Sequence, residues 1–187
     1  QHTDHRTIYE ILPLKVIFIH YLSKIDAYLL RRFIKNPRLS RNRINLDHFT
    51  NYTKVTCVRN PYSRVVSWYR NVMRDTNHLA KYGGKPIGFD EFVDKHLNES
   101  WALRSQFDWI STPDKKFKVD HILKIEELES DLEYFTNQSG YDGGQIPELH
   151  KSDNYDWKKY YTNSETINTV FRKYRREFIE LGYNSEI

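Results

Sequence analysis

One short stretch of the chain combines residue types that bind anions. Arg59 follows the largely β-branched run Val55–Val58, and Asn60 and Pro61 after it favour the first residues of a helix. An arginine at a strand end, the free N–H groups of a helix N-terminus and the Ser67 hydroxyl two turns later can together bind a phosphate. An arginine paired with a carboxylate on a solvated helix face explains the same residues equally well.

The residues after Asn60 predict an amphipathic helix. Its apolar residues recur at helical spacing and are Val65, Val66, Tyr69, Val72 and Met73. Ser63, Ser67, Arg70 and Arg74 lie on another face. We therefore expect one face to pack into the core and the other to be cationic and hydroxyl-bearing.

The segment from Arg59 to Ser67, with the sequence RNPYSRVVS, resembles the 3′-phosphate-binding motif of sulfotransferases. In that family, an arginine at a strand end and a later serine hold the 3′-phosphate of 3′-phosphoadenylyl sulfate, the sulfuryl donor. The resemblance implies that Arg59, Ser67 and Arg64 bind this nucleotide. It extends from about Phe18 to Tyr183 and is nearest the carbohydrate-type enzymes.

Two later segments are similar to the same family. His121–Leu132 resembles its second strand-to-helix segment, and Leu149–Ser152 together with Phe178–Tyr183 resembles its C-terminal end. Lys151 and Ser152 match a region where the family contacts the nucleotide, so they are secondary candidates for binding it. A solvated loop explains these two residues equally well.

The loop after the first predicted strand departs from the family pattern. Sulfotransferases carry a Pro-Lys-Thr-small-Gly-Thr-Ser loop there, whose amides and lysine hold the 5′-phosphosulfate, whereas Tyr21–Tyr28 contains no glycine. Bulky residues are poor substitutes for glycine in a phosphate cradle. Lys24 is the only candidate for the loop lysine. Either the loop is degenerate, or residues usual for it are missing from this sequence.

Sulfuryl transfer needs a base for the acceptor proton and positive charge at the leaving oxygen, and it needs no metal. His48 is the expected base, because it follows a predicted short strand, Ile44–Leu46, that should end beside Arg59. A histidine bonded to backbone at a strand end is the structural alternative. His20 is the second candidate and Glu126 the third, although a carboxylate in such a position more commonly caps a helix. The other histidines show no zinc-ligand spacing.

Strands alternate with helices along the chain. The remaining predicted elements are the strands Leu14–His20 and His121–Ile125 and the helices Ala27–Ile34, Phe89–His96 and Trp101–Ile110. Thr162–Glu165 is a predicted capping box before a last helix, which ends at Gly182. This alternation predicts the α/β class, as a three-layer P-loop-like fold with a mainly parallel central sheet flanked by helices.

Composition favours a single globular domain over residues 1–187, with the polar residues 1–10 either disordered or a remnant that is not part of the domain. The chain is 39% hydrophobic and 15% aromatic. Residues 1–74 carry 14 Lys/Arg against 4 Asp/Glu, a net charge of +10, and residues 75–187 carry 15 against 21, a net charge of −6. Such a field attracts a nucleotide or a polyanionic glycan, although a solvated basic surface also explains many of these side chains.

Cysteine usage and hydropathy bear on the compartment. Cys57 is the single cysteine, so an internal disulfide is excluded, and we expect it to be a small core residue of its strand. No stretch is long and apolar enough to span a membrane, so we expect no membrane contact and a cytoplasmic location. The alternative is the Golgi lumen, as a fragment of a membrane-anchored protein, and three glycosylation sequons at Asn51, Asn98 and Asn137 fit that compartment.

The sequence thus predicts a sulfotransferase that takes its sulfuryl group from 3′-phosphoadenylyl sulfate and places it on a hydroxyl acceptor, expected to be a glycan. The alternative is a non-catalytic nucleotide- or glycan-binding protein on the same fold with a degenerate phosphosulfate loop. A nucleic-acid-binding module is favoured only by the basic amino-terminal half and lacks a recognition motif, so we expect no nucleic-acid partner.

Overall fold

The helices and strands of the computed structural model are described for residues 46–111, 119–140 and 155–187. The α-helices and strands, in chain order, are α1 (Leu46–Asn51), β1 (Val55–Val58), α2 (Pro61–Arg74), α3 (Thr76–Leu79), α4 (Phe89–His96), α5 (Phe107–Ile110), β2 (His121–Lys124), α6 (Leu128–Ser139) and α7 (Ser164–Glu180). Short 3₁₀ helices cover Ala80–Tyr82, Trp101–Leu103, Ile125–Glu127 and Trp157–Tyr160.

The strand, turn and helix predicted around Arg59 are confirmed. β1 runs directly into the turn, and the Asn60 side chain then caps α2 by accepting hydrogen bonds from the N–H groups of Tyr62 and Ser63 at 2.9 and 3.4 Å. Pro61 occupies the first helical position, where a missing N–H costs nothing. The cap and the proline fix where α2 begins, and therefore how far Arg59 lies from the residues of its first two turns.

α2 packs its apolar face into the largest core of the described residues. Helices α4 and α7 and the 3₁₀ helix Trp157–Tyr160 pack against it. The buried members of this core are Tyr62, Val65, Val66, Val72, Phe89, Phe92, Val93, Leu97, Leu103, Tyr161, Val170, Tyr174 and Phe178. Because its apolar face is fixed in this way, the opposite face of α2 is held facing outward.

α7 carries an apolar stripe and begins one residue later than the predicted capping box implies. Asn163 is the N-cap, and its side chain accepts a hydrogen bond from the Glu165 N–H at 2.9 Å. Asparagine caps a helix at least as well as threonine, so the cap falls there rather than at Thr162. The stripe is buried at Val170, Tyr174 and Phe178, which confirms that the helix serves the core.

The described chain divides into two compact units. One contains residues 46–56, 106–111 and 119–122, and the other contains residues 57–105, 123–140 and 155–187. In the first unit, Asp120 accepts hydrogen bonds from the backbone N–H of Lys54 at 2.7 Å and from its side-chain ammonium at 2.8 Å. These two bonds hold the pKa of the Asp120 carboxyl below its usual range. The single-domain organisation stays a prediction.

Strands β1 and β2 form a two-stranded parallel sheet. This mixed, helix-dominated arrangement is consistent with an α/β sulfotransferase-type fold. The three-layer, P-loop-like detail stays a prediction, since the first predicted strand, Leu14–His20, and the helix Ala27–Ile34 lie outside the described residues. No helix within the described ranges is long and apolar enough to cross a membrane.

Two predictions for the described part of the chain are wrong. Leu46, the last residue of the predicted strand Ile44–Leu46, belongs to helix α1, whereas Ile44 and Asn45 lie outside the described residues. The Asn51 amide donates to the Asp47 carboxylate at 2.7 Å, a pairing across one helical turn that stabilises this helix. The predicted helix Trp101–Ile110 is interrupted at Arg104, whose backbone is extended.

The reason for the interruption lies in side chains from other helices. The Tyr174 hydroxyl donates to the Leu103 carbonyl at 2.5 Å, and Arg64 donates to the Ala102 carbonyl at 2.6 Å. Because tertiary hydrogen bonds already satisfy these two carbonyls, the backbone does not need to continue as a helix to give them a donor. Sequence periodicity cannot show such partners.

The prediction that Cys57 is a core residue is also wrong. Its strand alternates in exposure, and Cys57 is exposed whereas its neighbour Val58 is buried. Side chains along a strand point alternately to opposite faces, so a short apolar run does not require both faces to be buried. A strand with one buried face explains the observed pattern.

Candidate functional site

A cavity of about 400 Å³ lies along the outward face of α2. It is lined by Arg59, Arg64, Ser67, Trp68, Arg70, Asn71, Arg74, Ala102 and Tyr155. Among the described residues, four arginines and no acidic side chain line the cavity. The three predicted nucleotide-binding residues of the Arg59 motif, Arg59, Arg64 and Ser67, are therefore brought together at one strongly cationic site.

The Arg59 side chain is held against the first turn of α2. Its Nε donates to the Ser63 hydroxyl at 2.9 Å, and Ser63 is buried, with 3% of its surface exposed. Ser67 lies one turn beyond Ser63, on the same face of the helix.

The first turn of α2 does not supply free amides to a ligand, contrary to the expectation from sequence. The N–H groups of Tyr62 and Ser63 are used by the Asn60 side chain. The Asn60 N–H donates to the Glu126 carboxylate at 2.8 Å, and Pro61 has no N–H. Anion binding in this cavity must therefore come from side chains, with the helix dipole as a background contribution.

The two terminal nitrogens of the Arg64 guanidinium differ in their hydrogen bonding. Its Nη2 donates to the Ala102 carbonyl at 2.6 Å, and its guanidinium lies 5.9 Å from the centre of the Tyr174 ring. Burial raises the pKa of Tyr174, and the positive charge of Arg64 opposes that shift. Arg64 Nη1 is buried and has no hydrogen-bond partner among the described residues. A ligand acceptor in the cavity would satisfy it.

Two aromatic residues of the cavity wall also carry buried hydrogen-bond donors. Trp68 Nε1 and the Tyr155 hydroxyl are buried and have no hydrogen-bond partner in the described part of the chain. A buried donor without a partner costs about 1–3 kcal/mol. Arg70 lies with its guanidinium 3.8 Å from the centre of the Tyr155 ring, a cation–π contact that holds both side chains in the wall. The Arg70 and Tyr155 side chains of the wall thus hold each other in place, but the Trp68 and Tyr155 donors lack acceptors among the described residues.

Sequence reasoning placed Arg70 and Arg74 on a cationic face but did not assign them to the site. Their spacing from Ser67 was the available signal, since residues three, four and seven positions apart share a helix face. Asn71 fits the same spacing. Nothing in the sequence indicated Trp68 and Tyr155, because aromatic residues in an amphipathic pattern are usually core residues.

Of the other predicted site residues, four lie outside the described part of the chain: Lys24, Lys151, Ser152 and the second base candidate, His20. His48 lies on helix α1, in the first compact unit, and its ring stacks on Tyr52 with centres 4.5 Å apart. Leu46, the last residue of the strand that was expected to carry His48 beside Arg59, is helical, and Ile44 and Asn45 lie outside the described residues, so the argument from that strand stays a prediction.

Glu126 has structural partners for both carboxylate oxygens. Oε1 accepts from the Asn60 N–H at 2.8 Å, and Oε2 accepts from the Tyr183 hydroxyl at 3.2 Å. Burial and the negative charge of Glu126 raise the pKa of Tyr183. The arrangement favours the capping role of this carboxylate over the role of a catalytic base.

The model of the Sulfotransferase family matches residues 21–184. This range includes the Arg59 motif, the turn at Glu126 and the C-terminal helix. No curated protein and no solved structure matches the chain significantly. Because the family match spans most of the sequence, the chain belongs to the sulfotransferase family.

Proposed function

We propose that this member of the sulfotransferase family transfers the sulfuryl group of 3′-phosphoadenylyl sulfate to a hydroxyl group of a carbohydrate acceptor. Family membership supports sulfuryl transfer in general. The observation that supports this donor is the cationic cavity in which Arg59, Arg64 and Ser67 meet. A 3′-phosphate carries close to two negative charges at neutral pH, which four arginines can neutralise.

Hydrogen-bonding chemistry also supports a phosphate in this cavity. Arginine donates through a planar fork that matches two phosphate oxygens, and a serine hydroxyl can donate to a third. Arg59, two residues before α2, and Ser67, on α2, both line the cavity and can supply these groups. Arg64 Nη1, Trp68 Nε1 and the Tyr155 hydroxyl add donors that have no partner within the described ranges. A ligand rich in oxygen acceptors would satisfy them.

The proposed transfer step moves a proton, a sulfuryl group and a leaving group. A base removes the acceptor hydroxyl proton as the acceptor oxygen forms a bond to sulfur. The bond from sulfur to the bridging phosphate oxygen breaks, which leaves adenosine 3′,5′-bisphosphate. We propose His48 as the base and Lys24 as the cation that stabilises the charge on the leaving oxygen. We propose Lys151 and Ser152 as further nucleotide contacts.

Calorimetric titration with adenosine 3′,5′-bisphosphate tests the donor site. Replacing Arg59→Ala should weaken binding by about 2–4 kcal/mol, because a charge-assisted bond to phosphate is lost, and Ser67→Ala should cost about 1 kcal/mol. Arg175→Ala is the matched control, since Arg175 is an exposed arginine of α7. Equal affinity of the wild type and a folded Arg59→Ala variant would refute the assignment of the phosphate to this cavity.

A second candidate function is nucleotide binding without catalysis. The absence of glycine from Tyr21–Tyr28 is the specific observation in its favour. Incubation of the chain with radiolabelled donor and a panel of glycans separates the two functions. Labelled product that is lost on Lys24→Ala supports the enzyme. Measurable nucleotide binding with no label on any glycan supports the binding protein.

The compartment belongs to the same proposal. We propose a cytoplasmic enzyme, with the Golgi lumen as the alternative. The asparagines of all three sequons, Asn51, Asn98 and Asn137, are exposed, so a luminal protein would present them to the glycosylation machinery. A mobility shift on treatment of the native protein with a glycosidase specific for N-linked glycans would favour the lumen.

A further inference from the structure

The turn that carries Arg59 is held from outside its own helix by Glu126. This glutamate lies in the 3₁₀ helix Ile125–Glu127, directly after β2. Its Oε1 accepts from the Asn60 N–H at 2.8 Å. That N–H belongs to the peptide group that joins Arg59 to Asn60. Because a peptide group is planar, fixing its N–H fixes the direction in which the backbone leaves Arg59.

Tyr183 in turn fixes Glu126. The Tyr183 hydroxyl donates to Glu126 Oε2 at 3.2 Å, and the Lys124 ammonium lies 5.2 Å from the centre of the tyrosine ring. Tyr183 reaches this position because Gly182 has a φ of 67°, a left-handed conformation that glycine adopts without strain. The Tyr183 N–H then donates to the Phe178 carbonyl at 3.0 Å. The end of α7 is thus connected to the turn before α2.

Arg59 is consequently held at two points. The Glu126 carboxylate fixes the peptide group that follows its Cα, and the Ser63 hydroxyl accepts from its Nε at 2.9 Å. The Asn60 side chain, which lies between them, caps α2. Catalytic and binding groups work best when neighbouring bonds fix them before the ligand arrives. The arrangement around Arg59 meets that requirement.

Electrostatics alone predict the opposite role for Glu126. A carboxylate near an anion site repels the phosphate, so its negative charge lowers phosphate affinity unless the carboxylate also stabilises the site in another way. Its two hydrogen bonds and its place at the N-terminus of α2 offset that repulsion. If the charge of Glu126 dominates, removing its carboxylate should raise phosphate affinity. If its hydrogen bond to the Asn60 N–H dominates, removing the carboxylate should lower phosphate affinity.

We propose that Glu126 is a positioning residue that holds Arg59 in place for the 3′-phosphate, and that Tyr183 supports it. This inference rests on the proposed nucleotide function of the cavity. The role differs from that of a general base, because Glu126 acts through Arg59 and does not contact the reacting atoms. It explains why the turn after β2 and the C-terminal Gly182–Tyr183 pair come together at the start of α2.

The test compares two nucleotides by calorimetric titration. One is adenosine 3′,5′-bisphosphate and the other is adenosine 5′-monophosphate, which lacks the 3′-phosphate. Glu126→Ala should lower affinity for the bisphosphate about 10-fold and leave the monophosphate within about 2-fold, because only the 3′-phosphate uses Arg59. Tyr183→Phe should give a smaller loss, about 2- to 5-fold, in the same direction. Glu126→Gln, which keeps an oxygen for the Asn60 N–H, should retain most of the bisphosphate affinity.

Glu127→Ala is the matched control for charge. Glu127 is the exposed neighbour of Glu126 and acts on Tyr183 only through its charge. Its removal should leave bisphosphate affinity unchanged or slightly higher. If Glu126→Ala is poorly folded, the Tyr183→Phe and Glu126→Gln pair carries the same comparison.

The outcomes separate the two proposals. Tighter or unchanged bisphosphate binding by folded Glu126→Ala would overturn the positioning role and leave the nucleotide site intact. Equal losses for both nucleotides would also overturn it, because a general loss of structure does not depend on the 3′-phosphate. A wild-type protein that does not prefer the bisphosphate to the monophosphate would overturn the proposed nucleotide function, and the positioning role with it.

Discussion

Buried donors without partners are the feature that most sets the cavity apart from an ordinary basic surface. The Tyr155 hydroxyl is buried and has no hydrogen-bond partner among the residues that the structure describes, although the Arg70 guanidinium lies 3.8 Å from the centre of its ring. A solvated arginine patch would leave such groups to water. Here the protein bears their desolvation cost, and this cost is recovered when a ligand supplies acceptors.

Tyr155→Phe should therefore have opposite effects on binding and on stability. Affinity for adenosine 3′,5′-bisphosphate should fall by about 1 kcal/mol, because one donor to the ligand is lost. The free energy of unfolding of the unliganded protein should stay equal or rise by up to about 1 kcal/mol, because an unsatisfied buried hydroxyl is removed. Calorimetric titration and chemical denaturation measure the two quantities.

Tyr174→Phe is the matched control for this prediction. Its hydroxyl is also buried, but it donates to the Leu103 carbonyl at 2.5 Å. Removing it leaves that carbonyl unsatisfied, so we expect stability to fall by about 1–2 kcal/mol. If Tyr155→Phe destabilised the protein as much as Tyr174→Phe does, the Tyr155 hydroxyl would have a structural partner and the argument from unsatisfied donors would fail.

The elements that could be predicted from sequence are those whose signals are local. The strand, turn and helix around Arg59 are set by β-branched residues, an asparagine cap and Pro61, all within a few positions of one another. α4 was predicted at its observed bounds, Phe89–His96, for the same reason. Local signals also placed Arg59, Arg64 and Ser67 at correct spacing for a shared cavity.

The features that could not be predicted depend on partners distant in sequence. The break at Arg104 follows from hydrogen bonds made by Arg64 and Tyr174. The use of the Asn60 N–H by Glu126, which removes the helix N-terminus from ligand binding, joins residues 66 positions apart. Trp68 and Tyr155 entered the site only because the fold places them at one wall. Periodicity and capping rules contain no information on such contacts.

The cap of α2 should connect helix stability to nucleotide binding. Asn60→Ala removes the side chain that accepts from Tyr62 and Ser63, so the free energy of unfolding should fall by about 1 kcal/mol. Affinity for adenosine 3′,5′-bisphosphate should fall as well, because the turn behind Arg59 loses a constraint. Denaturation and titration of the same preparation measure both.

Asn163→Ala provides the comparison, since Asn163 is the N-cap of α7. We expect a similar loss of stability, about 1 kcal/mol, without a change in nucleotide affinity. An equal loss of affinity in both variants would mean that affinity follows overall stability rather than the position of Arg59.

The pair formed by Lys54 and Asp120 should make the first compact unit sensitive to acid. Hydrogen bonds from Lys54 lower the pKa of Asp120 in the folded chain. The ionised carboxylate therefore stabilises the fold at pH above its ordinary value of about 4, and this stabilisation is lost as the pH falls through the lowered value. Asp120→Ala should reduce the melting temperature at pH 7, and the difference from wild type should shrink as the pH falls below about 4 and through the lowered pKa of Asp120. A difference that persists at acid pH would contradict the ionic origin.

Across the chain as a whole, charge is divided unevenly in a way that matches the proposed ligand. Residues 1–74 carry a net charge of +10 and residues 75–187 a net charge of −6. The four arginines of the cavity, Arg59, Arg64, Arg70 and Arg74, all belong to the basic part. A field of one sign around a concave site raises the local concentration of an oppositely charged ligand and its rate of association.

Binding of adenosine 3′,5′-bisphosphate should therefore weaken as salt is raised, and more steeply than binding of adenosine 5′-monophosphate. The Debye length falls from about 10 Å at 0.1 M to about 3 Å at 1 M salt, so charges outside the immediate contact are screened first. Arg59→Ala should shift the whole salt titration to weaker affinity but keep part of its slope, because the remaining basic residues still act on the ligand. Both effects can be measured from stopped-flow association rates and calorimetric affinities between about 0.05 and 0.5 M sodium chloride. Affinity for the bisphosphate that does not change with salt would show that short-range hydrogen bonds alone carry binding, and the uneven charge of the chain would then have no part in nucleotide capture.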